Sequence, residues 1–292
     1  MISYIRPPDT LEFDPTFFDT MSHSTAQYFI IELGSGSGLV ASTIAGLLRP
    51  GRDLLIVTDL PEVWIMKAIH VISGLMTGSS KVCSLLEQNL KKLPVVVKAL
   101  SWGNQSEAIN ICSAFIGKEY SPSSCGNLTH IICSDLVLSS IESCVTTLIT
   151  YQIYFPGLFA PLLRTLLDLT SPPFVAELGK TLARPLIFIS YKVRSLTKES
   201  TFWAAFGLWF DFRPVLVRET LRPNSDQWRC FGVKSDDTTF LFVAHRRPES
   251  YLWTIPLLDE ELLSGVGVNG SDFPKSDDTF ERLLMMMSLE HE

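Results

Sequence analysis

The sequence predicts an α/β fold in which a mainly parallel sheet is covered by helices on both faces. Short apolar runs of strand length alternate along the chain with segments whose apolar residues have helical spacing. The strand-like runs are apolar at nearly every position, which is typical of strands buried on both faces. The first run ends in a glycine-rich turn that leads straight into a helical segment. Together these features are typical of parallel strands joined by helical crossovers.

The elements follow in a regular order. Buried strands are predicted over residues 28–34 and 54–59, and further strands over residues 94–100, 129–135 and 185–191. Helices are predicted over residues 38–48, 85–92, 157–169 and 199–210. Two further strand segments, 214–218 and 239–245, are predicted to pair antiparallel and end the fold. From about residue 249 onward the chain is rich in Gly, Ser, Asp and Glu, which predicts a tail with one short helix at most.

Composition narrows the classes of protein and of site. The chain has 292 residues, 46% of them hydrophobic and 19% charged, which excludes a disordered chain. The net charge of −7 argues against a nucleic-acid binder with a general basic face and favours basic partners such as a lysine-rich protein segment. Six cysteines without a CxxC pair and five histidines without an HExxH motif argue against a zinc site. Cys133 lies in an apolar run, where we expect a buried, inert thiol.

We expect neither a signal peptide nor a membrane span. The first residues lack a basic stretch followed by an apolar one. The longest uncharged run, residues 143–163, is long enough to cross a bilayer but contains Pro156 and Pro161. These observations predict a cytoplasmic protein without a membrane partner.

The motif that carries chemistry is E-L-G-S-G-S-G, from Glu32 to Gly38. Glycines at a strand-to-helix turn let a ligand approach the backbone, and the start of a helix offers free N–H groups. Asp59 ends the second strand, where its carboxylate can accept hydrogen bonds from ribose hydroxyls. An adenosine ligand is one interpretation; a tight turn with a capping acid is the other. The spacing G-x-G-x-G differs from the G-x-G-x-x-G of dinucleotide-binding folds.

Several motifs together resemble a known family. E-L-G-S-G-S-G followed by T-D-L-P-E-V (58–63) resembles the seven-strand S-adenosylmethionine-dependent methyltransferases. More narrowly, the chain resembles methyltransferase family 16, the nicotinamide N-methyltransferase-like group that includes many protein-lysine methyltransferases. The other matching segments are L-L-E-Q-N-L (85–90), A-L-S-W-G (99–103), S-D-L-V (134–137), L-L-R-T-L-L-D-L (162–169) and I-S-Y-K-V-R-S (189–195). The last of these, with the aromatic residues that follow it, resembles fungal members that modify a translation elongation factor.

The resemblance implies a fold, a cofactor and a set of cofactor-binding residues. The fold is the Rossmann-like class I methyltransferase fold, a seven-strand mainly parallel sheet with helices on both faces, and the cofactor is S-adenosyl-L-methionine. The implied cofactor-binding residues are Glu32, Gly34, Ser35, Gly36, Gly38, Asp59, Leu60, Trp102 and Ser134. Glu32 would support the loop, Asp59 would hold the ribose, and Leu60 and Trp102 would flank the adenine. An ordinary core aromatic is the alternative for Trp102.

The resemblance also implies two residues for the chemical step. Asp135 opens the D-x-x-Y motif that the family has at the mouth of its lysine channel. In this chain the motif is interrupted, because Leu138 stands where tyrosine is expected. Deleting residues 138–153 would bring Tyr154 into that position and restore the motif. An acid that caps a helix is the alternative for Asp135.

A second interruption lies between the T-D-L-P-E-V and L-L-E-Q-N-L segments, where residues 65–83 intervene. Our hypothesis is that both stretches are short introns read through in frame. The alternative is two surface insertions, which loops tolerate because closure entropy grows slowly with length. The domain prediction is accordingly a short N-terminal segment at 1–27, a methyltransferase domain at 28–248 with inserts at about 65–83 and 138–153, and a tail at 249–292.

The function predicted from the resemblance is transfer of a methyl group to a lysine side chain of a protein, with a translation elongation factor as one possible substrate. A catalytically impaired methyltransferase-fold protein or mis-spliced product is an alternative, since one motif is interrupted. A small-molecule N-methyltransferase is another. A nicotinamide-dependent oxidoreductase is disfavoured by the glycine spacing and by the lack of a Tyr-x-x-x-Lys pair.

Overall fold

The computed structural model describes residues 1–18, 27–60, 82–116, 128–134, 156–175, 177–178, 181–182, 184–193, 195–220, 227–232 and 239–289. Its strands are β1 Leu11–Asp14, β2 Phe29–Leu33, β3 Leu54–Asp59, β4 Val96–Ala99, β5 His130–Ser134, β6 Glu177–Leu178, β7 Thr181–Leu182, β8 Leu186–Lys192, β9 Phe210–Pro214, β10 Leu216–Glu219, β11 Arg229–Cys230 and β12 Thr239–Arg246. Its helices are α1 Ile2–Ile5, α2 Leu39–Ala45, α3 Val82–Leu90, α4 Gln105–Ile116, α5 Phe159–Leu169, α6 Leu196–Trp209, α7 Asp259–Ser264 and α8 Thr279–Leu289. Short 3-10 turns cover Pro156–Leu158, Pro248–Leu252 and Val268–Gly270.

A seven-stranded sheet with the order β4-β3-β2-β5-β8-β12-β9 forms the centre of the fold. The first five strands of this order are parallel to their neighbours, whereas β12 is antiparallel to both β8 and β9. The five predicted strands correspond to β2, β3, β4, β5 and β8, of which β4 is an edge strand with half-buried and exposed residues. This is the mostly parallel α/β arrangement of the class I methyltransferase fold, as predicted.

The sheet separates two apolar cores, because successive side chains of a strand point to opposite faces. In β2, Ile31 and Leu33 belong to one core and Ile30 to the other. The first core is completed by α4, α5, α6, α7 and α8. The second is completed by α1, α2 and α3, and by β1 and β10 of a small antiparallel sheet that also contains β11.

The end of the predicted fold is only partly as expected. Strand β12 does pair antiparallel near residue 214, but its partner is β9, from Phe210 to Pro214. Val215 still donates its N–H to the Leu241 carbonyl, at 2.8 Å. The residues after it leave the large sheet, and β10 pairs with β1 and β11 instead. The apolar run that begins at Pro214 therefore serves two sheets, which its hydrophobic pattern alone does not reveal.

The segment after residue 249 also differs from the tail that its composition predicts. It contains α7 and α8, and its side chains Leu262, Phe280 and Met287 are buried in the first core. The ring of Phe280 stacks on that of Trp203 in α6, with ring centroids 4.6 Å apart. A few well-spaced apolar anchors are enough to attach this segment, although its average composition is polar.

No helix within the described residues is long and apolar enough to cross a membrane.

Candidate functional site

The glycine-rich loop begins where β2 ends, and β2 lies between β3 and β5 in the middle of the sheet. Gly34, Gly36 and Gly38 all have positive φ, at 62°, 54° and 80°. A left-handed backbone conformation is strained for most residues other than glycine, so the alternating glycines allow the tight turn from strand to helix. The Ser35 N–H donates to the Thr58 carbonyl at 3.0 Å, which ties the loop to β3.

Asp59, the last residue of β3, makes the second connection between that strand and the loop. One of its carboxylate oxygens accepts the N–H of Gly36 at 2.7 Å, and the other accepts the N–H of Leu60 at 2.7 Å. Burial raises the pKa of the Asp59 carboxyl, and the two backbone hydrogen bonds oppose that rise. The carboxylate is thus held in a fixed orientation at the edge of the glycine loop.

The glycines of the loop have different surroundings. A Cβ built on Gly36 would meet no atom within 4 Å. A Cβ on Gly38 would lie 2.8 Å from Cδ1 of Leu86 and 3.1 Å from Leu90, both on α3. Gly36 therefore borders open space that a ligand can enter, whereas Gly38 allows α3 to pack closely against the start of α2. This geometry gives Gly38 a packing role, beside the cofactor contact that the resemblance implies.

Glu32 is the last residue but one of β2 and is 1% exposed. Its Oε2 atom has no hydrogen-bond partner within the described residues. Burial raises the pKa of Glu32 to about 8, and the negative charge of Asp59 adds to this effect, while Ser35 and the Ala41 backbone oppose it. A buried acid that is largely neutral near pH 7 can both accept and donate a hydrogen bond.

Trp102 lies in the loop that follows β4, and hydrogen bonds on both sides hold that loop in place. The Leu100 N–H donates to the Asp59 carbonyl at 2.9 Å. The Ser101 N–H donates to a Glu107 carboxylate oxygen at 2.7 Å, and the Gly103 N–H donates to Oγ1 of Thr165 at 2.8 Å. The indole is half-buried, and its Nε1 has no partner within the described residues.

The remaining predicted residues divide between described and undescribed parts of the chain. Ser134 is the half-buried last residue of β5, in register with Ser190 of β8. The carboxyl ends of parallel strands meet at one edge of a sheet, so Ser134 lies at the same edge as the glycine loop and Asp59. Asp135, Tyr154 and the predicted inserts 65–83 and 138–153 lie outside the described residues, apart from positions 82–83.

The structure adds two supporting residues that had no predicted role. The Thr58 hydroxyl donates to the Glu32 carbonyl at 2.8 Å and is fully buried between the two strands. The Asn89 side-chain amide donates to the Ser37 carbonyl at 3.0 Å, so α3 holds the glycine loop from its outer side. Both residues lie in segments that carry the family resemblance, and this resemblance was the one feature of the sequence that could have indicated their roles.

These residues suit an organic ligand better than a metal ion. Among the described residues no group of three or more His, Cys, Asp or Glu side chains could hold a metal. The open space at Gly36 and the oriented carboxylate of Asp59 leave room and a hydrogen-bond acceptor for an organic ligand. Cys133 is buried, as predicted, and burial together with the charge of Glu32 raises the pKa of its thiol.

Fold and loop together define a protein of the class I methyltransferase fold. Neither a protein-family model nor a curated protein matches the sequence. Solved structures do resemble the fold, all at low identity. A putative O-methyltransferase from Klebsiella pneumoniae is 12% identical, with a TM-score of 0.38 over 78% of this chain and 76% of that one. A putative rRNA methylase from Clostridium thermocellum is 10% identical, with a TM-score of 0.39 over 77% and 91%.

A third similar structure is the O-methyltransferase from Bacillus cereus in complex with SAH, which is 13% identical with a TM-score of 0.35 over 75% of this chain and 74% of that one. Other similar structures are longer, and the chain spans 49% of the CurJ carbon methyltransferase structure and 21% of a structure from Rickettsia typhi.

Proposed function

We propose that this protein is an S-adenosylmethionine-dependent methyltransferase that methylates a lysine side chain of a protein. The observation that supports cofactor binding is the 2.7 Å hydrogen bond from the Gly36 N–H to Asp59, which joins the glycine loop after β2 to the end of β3. An acid in this place, beside an open glycine loop at the carboxyl edge of a parallel sheet, suits the ribose of an adenosine ligand.

Each cofactor-binding residue has a role that its surroundings support. The open backbone at Gly34, Ser35 and Gly36 would accommodate the methionine part of the cofactor. Asp59 would accept hydrogen bonds from the ribose hydroxyls through lone pairs that the two backbone N–H groups leave free. Leu60 and Trp102 are both half-buried, which leaves apolar surface available to flank an adenine ring. Glu32 would support the loop, and Ser134 would complete the pocket wall.

Positioning accounts for most of the work in this reaction. When bound, S-adenosylmethionine supplies a methyl group on a positively charged sulfur, and no metal is needed. The protein must present the lysine amine without its proton and in line with the methyl group. The family resemblance implies that Asp135 would orient the lysine side chain. Tyr154 would shape the channel and contact the lysine ammonium before it loses its proton to water. The net charge of −7 is compatible with a basic protein substrate.

The identity of the substrate is proposed from the resemblance of residues 189–195 and the aromatic residues that follow to fungal enzymes that modify a translation elongation factor. A translation elongation factor is therefore the first protein to offer in an assay. Core histones and free nicotinamide, offered in parallel, test other protein substrates and a small-molecule substrate.

Calorimetric titration of the purified chain with S-adenosylmethionine and, in parallel, with NADH tests the cofactor. We expect micromolar binding of S-adenosylmethionine alone. Binding of NADH alone, or of neither ligand by a chain that is folded by circular dichroism, would overturn the proposal.

The catalytic step is tested by Asp135→Ala. We expect this substitution to abolish transfer of a radiolabelled methyl group while leaving the affinity for S-adenosylmethionine within about twofold, because Asp135 is assigned to the amine and not to the cofactor. The control is Glu12→Ala, at an exposed ion pair with Arg218 outside the site. Unchanged turnover in the Asp135 variant would remove that residue from the mechanism.

A further inference from the structure

Residues 252–258, which we call the C-terminal strap, present leucines to solvent to an unusual extent. The exposed fractions of Leu252, Leu257 and Leu258 are 90%, 92% and 60%. An isolated exposed leucine needs no explanation, but three within seven residues form an apolar surface of the kind that marks interaction sites.

The strap is anchored to the rest of the fold. A loose segment therefore does not explain why its leucines are exposed. Trp253 and Ile255 pack on the first core, and Trp253 contacts the Trp209 ring with centroids 5.4 Å apart. The guanidinium of Arg164, on α5, donates to the carbonyls of Pro256 and Leu257 at 2.6 and 2.7 Å. Inward anchors thus hold the strap while its leucines point outward.

Carboxylates flank the strap on both sides in the sequence, and Arg164, which contacts its backbone, is paired with one of them, Asp259. Residues 248–261 contain four carboxylates and no lysine or arginine. Asp259 pairs with Arg164 at 2.8 Å, whereas Glu249, Glu260 and Glu261 form no ion pair within the described residues. Acids in the first turn of α7 also stabilise that helix, but this role does not account for the leucines beside them.

The strap is connected to the candidate site through α5. Arg164 holds the strap, and the next residue, Thr165, accepts the N–H of Gly103 in the loop that carries Trp102. Arg164 and Thr165 are adjacent on α5, so this one helix contacts both the strap and the loop that carries Trp102.

From these observations we infer that the C-terminal strap is a docking surface for a basic segment of a protein substrate that also carries apolar side chains. The leucines bury the apolar side chains of that segment, and Glu249, Glu260 and Glu261 attract its lysine or arginine side chains. The inference rests on the proposed function, and it adds a contact with the substrate that is separate from the target lysine. Charge distinguishes this occupant from an anionic membrane surface or a second copy of the strap, both of which the carboxylates repel.

The test measures fluorescence polarisation of a labelled peptide composed of lysine and leucine, with the full chain and without cofactor. Comparison peptides contain serine in place of leucine, or glutamate in place of lysine. The test variants are Leu257→Ser with Leu258→Ser, and Glu260→Lys with Glu261→Lys. Leu258 is the residue before the first turn of α7, where serine is favoured, so the leucine variant is expected to fold. The matched control is Leu85→Ser, at a 54%-exposed leucine on α3.

We expect the lysine–leucine peptide to bind the wild-type chain and the Leu85 control equally. Each test variant should bind it at least about tenfold more weakly, and neither comparison peptide should bind. Equal binding to the test variants, or concentration-dependent dimerisation in sedimentation that the leucine variant abolishes, would overturn the inference. Titration with S-adenosylmethionine is run on the same samples, so loss of peptide binding with cofactor affinity intact separates this result from a failure of the proposed function.

Discussion

Two acids at the ends of neighbouring strands experience very different environments. Asp59 is engaged by two backbone N–H groups, whereas Glu32 is buried with one oxygen unpartnered. Burial raises the pKa of both carboxyls, and hydrogen bonds oppose that rise in each. The pKa of Glu32 reaches about 8, so this carboxyl is largely protonated near neutral pH.

The raised pKa of Glu32 predicts a pH-dependent effect of Glu32→Gln on stability. The folded-state pKa, about 8, lies above the ordinary value of 4.5, so charging Glu32 destabilises the folded state. The penalty is absent below pH 4.5, grows between pH 4.5 and 8, and is complete above pH 8. We expect Glu32→Gln to raise the free energy of unfolding by on the order of 2–4 kcal/mol at pH 9, and by much less at pH 5.

Urea denaturation at the two pH values, without cofactor, measures the difference. Glu249→Gln, at an exposed carboxylate, is the control and should have the same small effect at both pH values. A Glu32→Gln effect that does not change with pH would contradict the raised pKa.

Asp59→Asn is predicted to weaken S-adenosylmethionine binding by about tenfold to a hundredfold, the usual loss when a charged hydrogen-bond acceptor becomes neutral. The amide keeps an oxygen that can still accept one backbone N–H, so the glycine loop should stay in place. Calorimetry gives the affinity, and Asp211→Asn, at an exposed acid on β9, is the control. An unchanged affinity would mean that Asp59 supports the loop only.

At the scale of elements, the loop between β2 and α2 depends on two glycines for different reasons. Gly36→Ala places a methyl group in open space but at a φ of 54°, and Gly38→Ala places one 2.8 Å from Leu86 at a φ of 80°. We expect Gly36→Ala to cost about 1 kcal/mol of stability and to weaken cofactor binding. Gly38→Ala should cost about 2–4 kcal/mol, because strain adds to overpacking against α3.

Thermal unfolding and cofactor titration of the two variants separate these effects. The prediction for Gly38 has an internal check, since Leu86→Ala in the Gly38→Ala background should recover part of the lost stability. Equal stability losses for the two glycine variants would contradict the difference in their surroundings.

The elements that were predictable are those with a strong local pattern. The continuous apolar runs of β2, β3, β5 and β8 indicated strands of a mainly parallel sheet, and the glycines after β2 indicated the tight turn into α2. The tertiary hydrogen bonds of Thr58 and Asn89 were not predictable, because they depend on which distant backbone atom lies opposite each side chain. The open space at Gly36 and the crowded space at Gly38 likewise depend on where α3 packs.

At the scale of the whole molecule, each end of the described chain completes one face of the sheet. Tyr4 and Phe13, from the N-terminal segment, are buried in the second core, and Phe280, from the C-terminal segment, is buried in the first. Composition predicted a tail after residue 249 because polar residues outnumber the anchors there. Whether this segment packs on the core depends on the positions of a few large apolar side chains, and its average composition does not show those positions.

A pair of phenylalanines tests this conclusion. Phe280 is fully buried against Trp203, whereas Phe273 is 78% exposed in the same segment. We expect Phe280→Ala to lower the free energy of unfolding by about 3–5 kcal/mol, and Phe273→Ala to change it by less than about 0.5 kcal/mol. Chemical denaturation measures both, and similar values for the two variants would mean that the segment does not belong to the core.

The placement of the indole rings has an optical consequence. Trp203 and Trp209 are fully enclosed, so their emission reports the integrity of the first core. Trp102 is half-buried in the loop that a hydrogen bond joins to Asp59, so under the proposed function its emission should change when the cofactor binds. All six tryptophans contribute to the total emission, so a cofactor-dependent change that Trp102→Phe removes would separate ligand binding from unfolding without an attached dye.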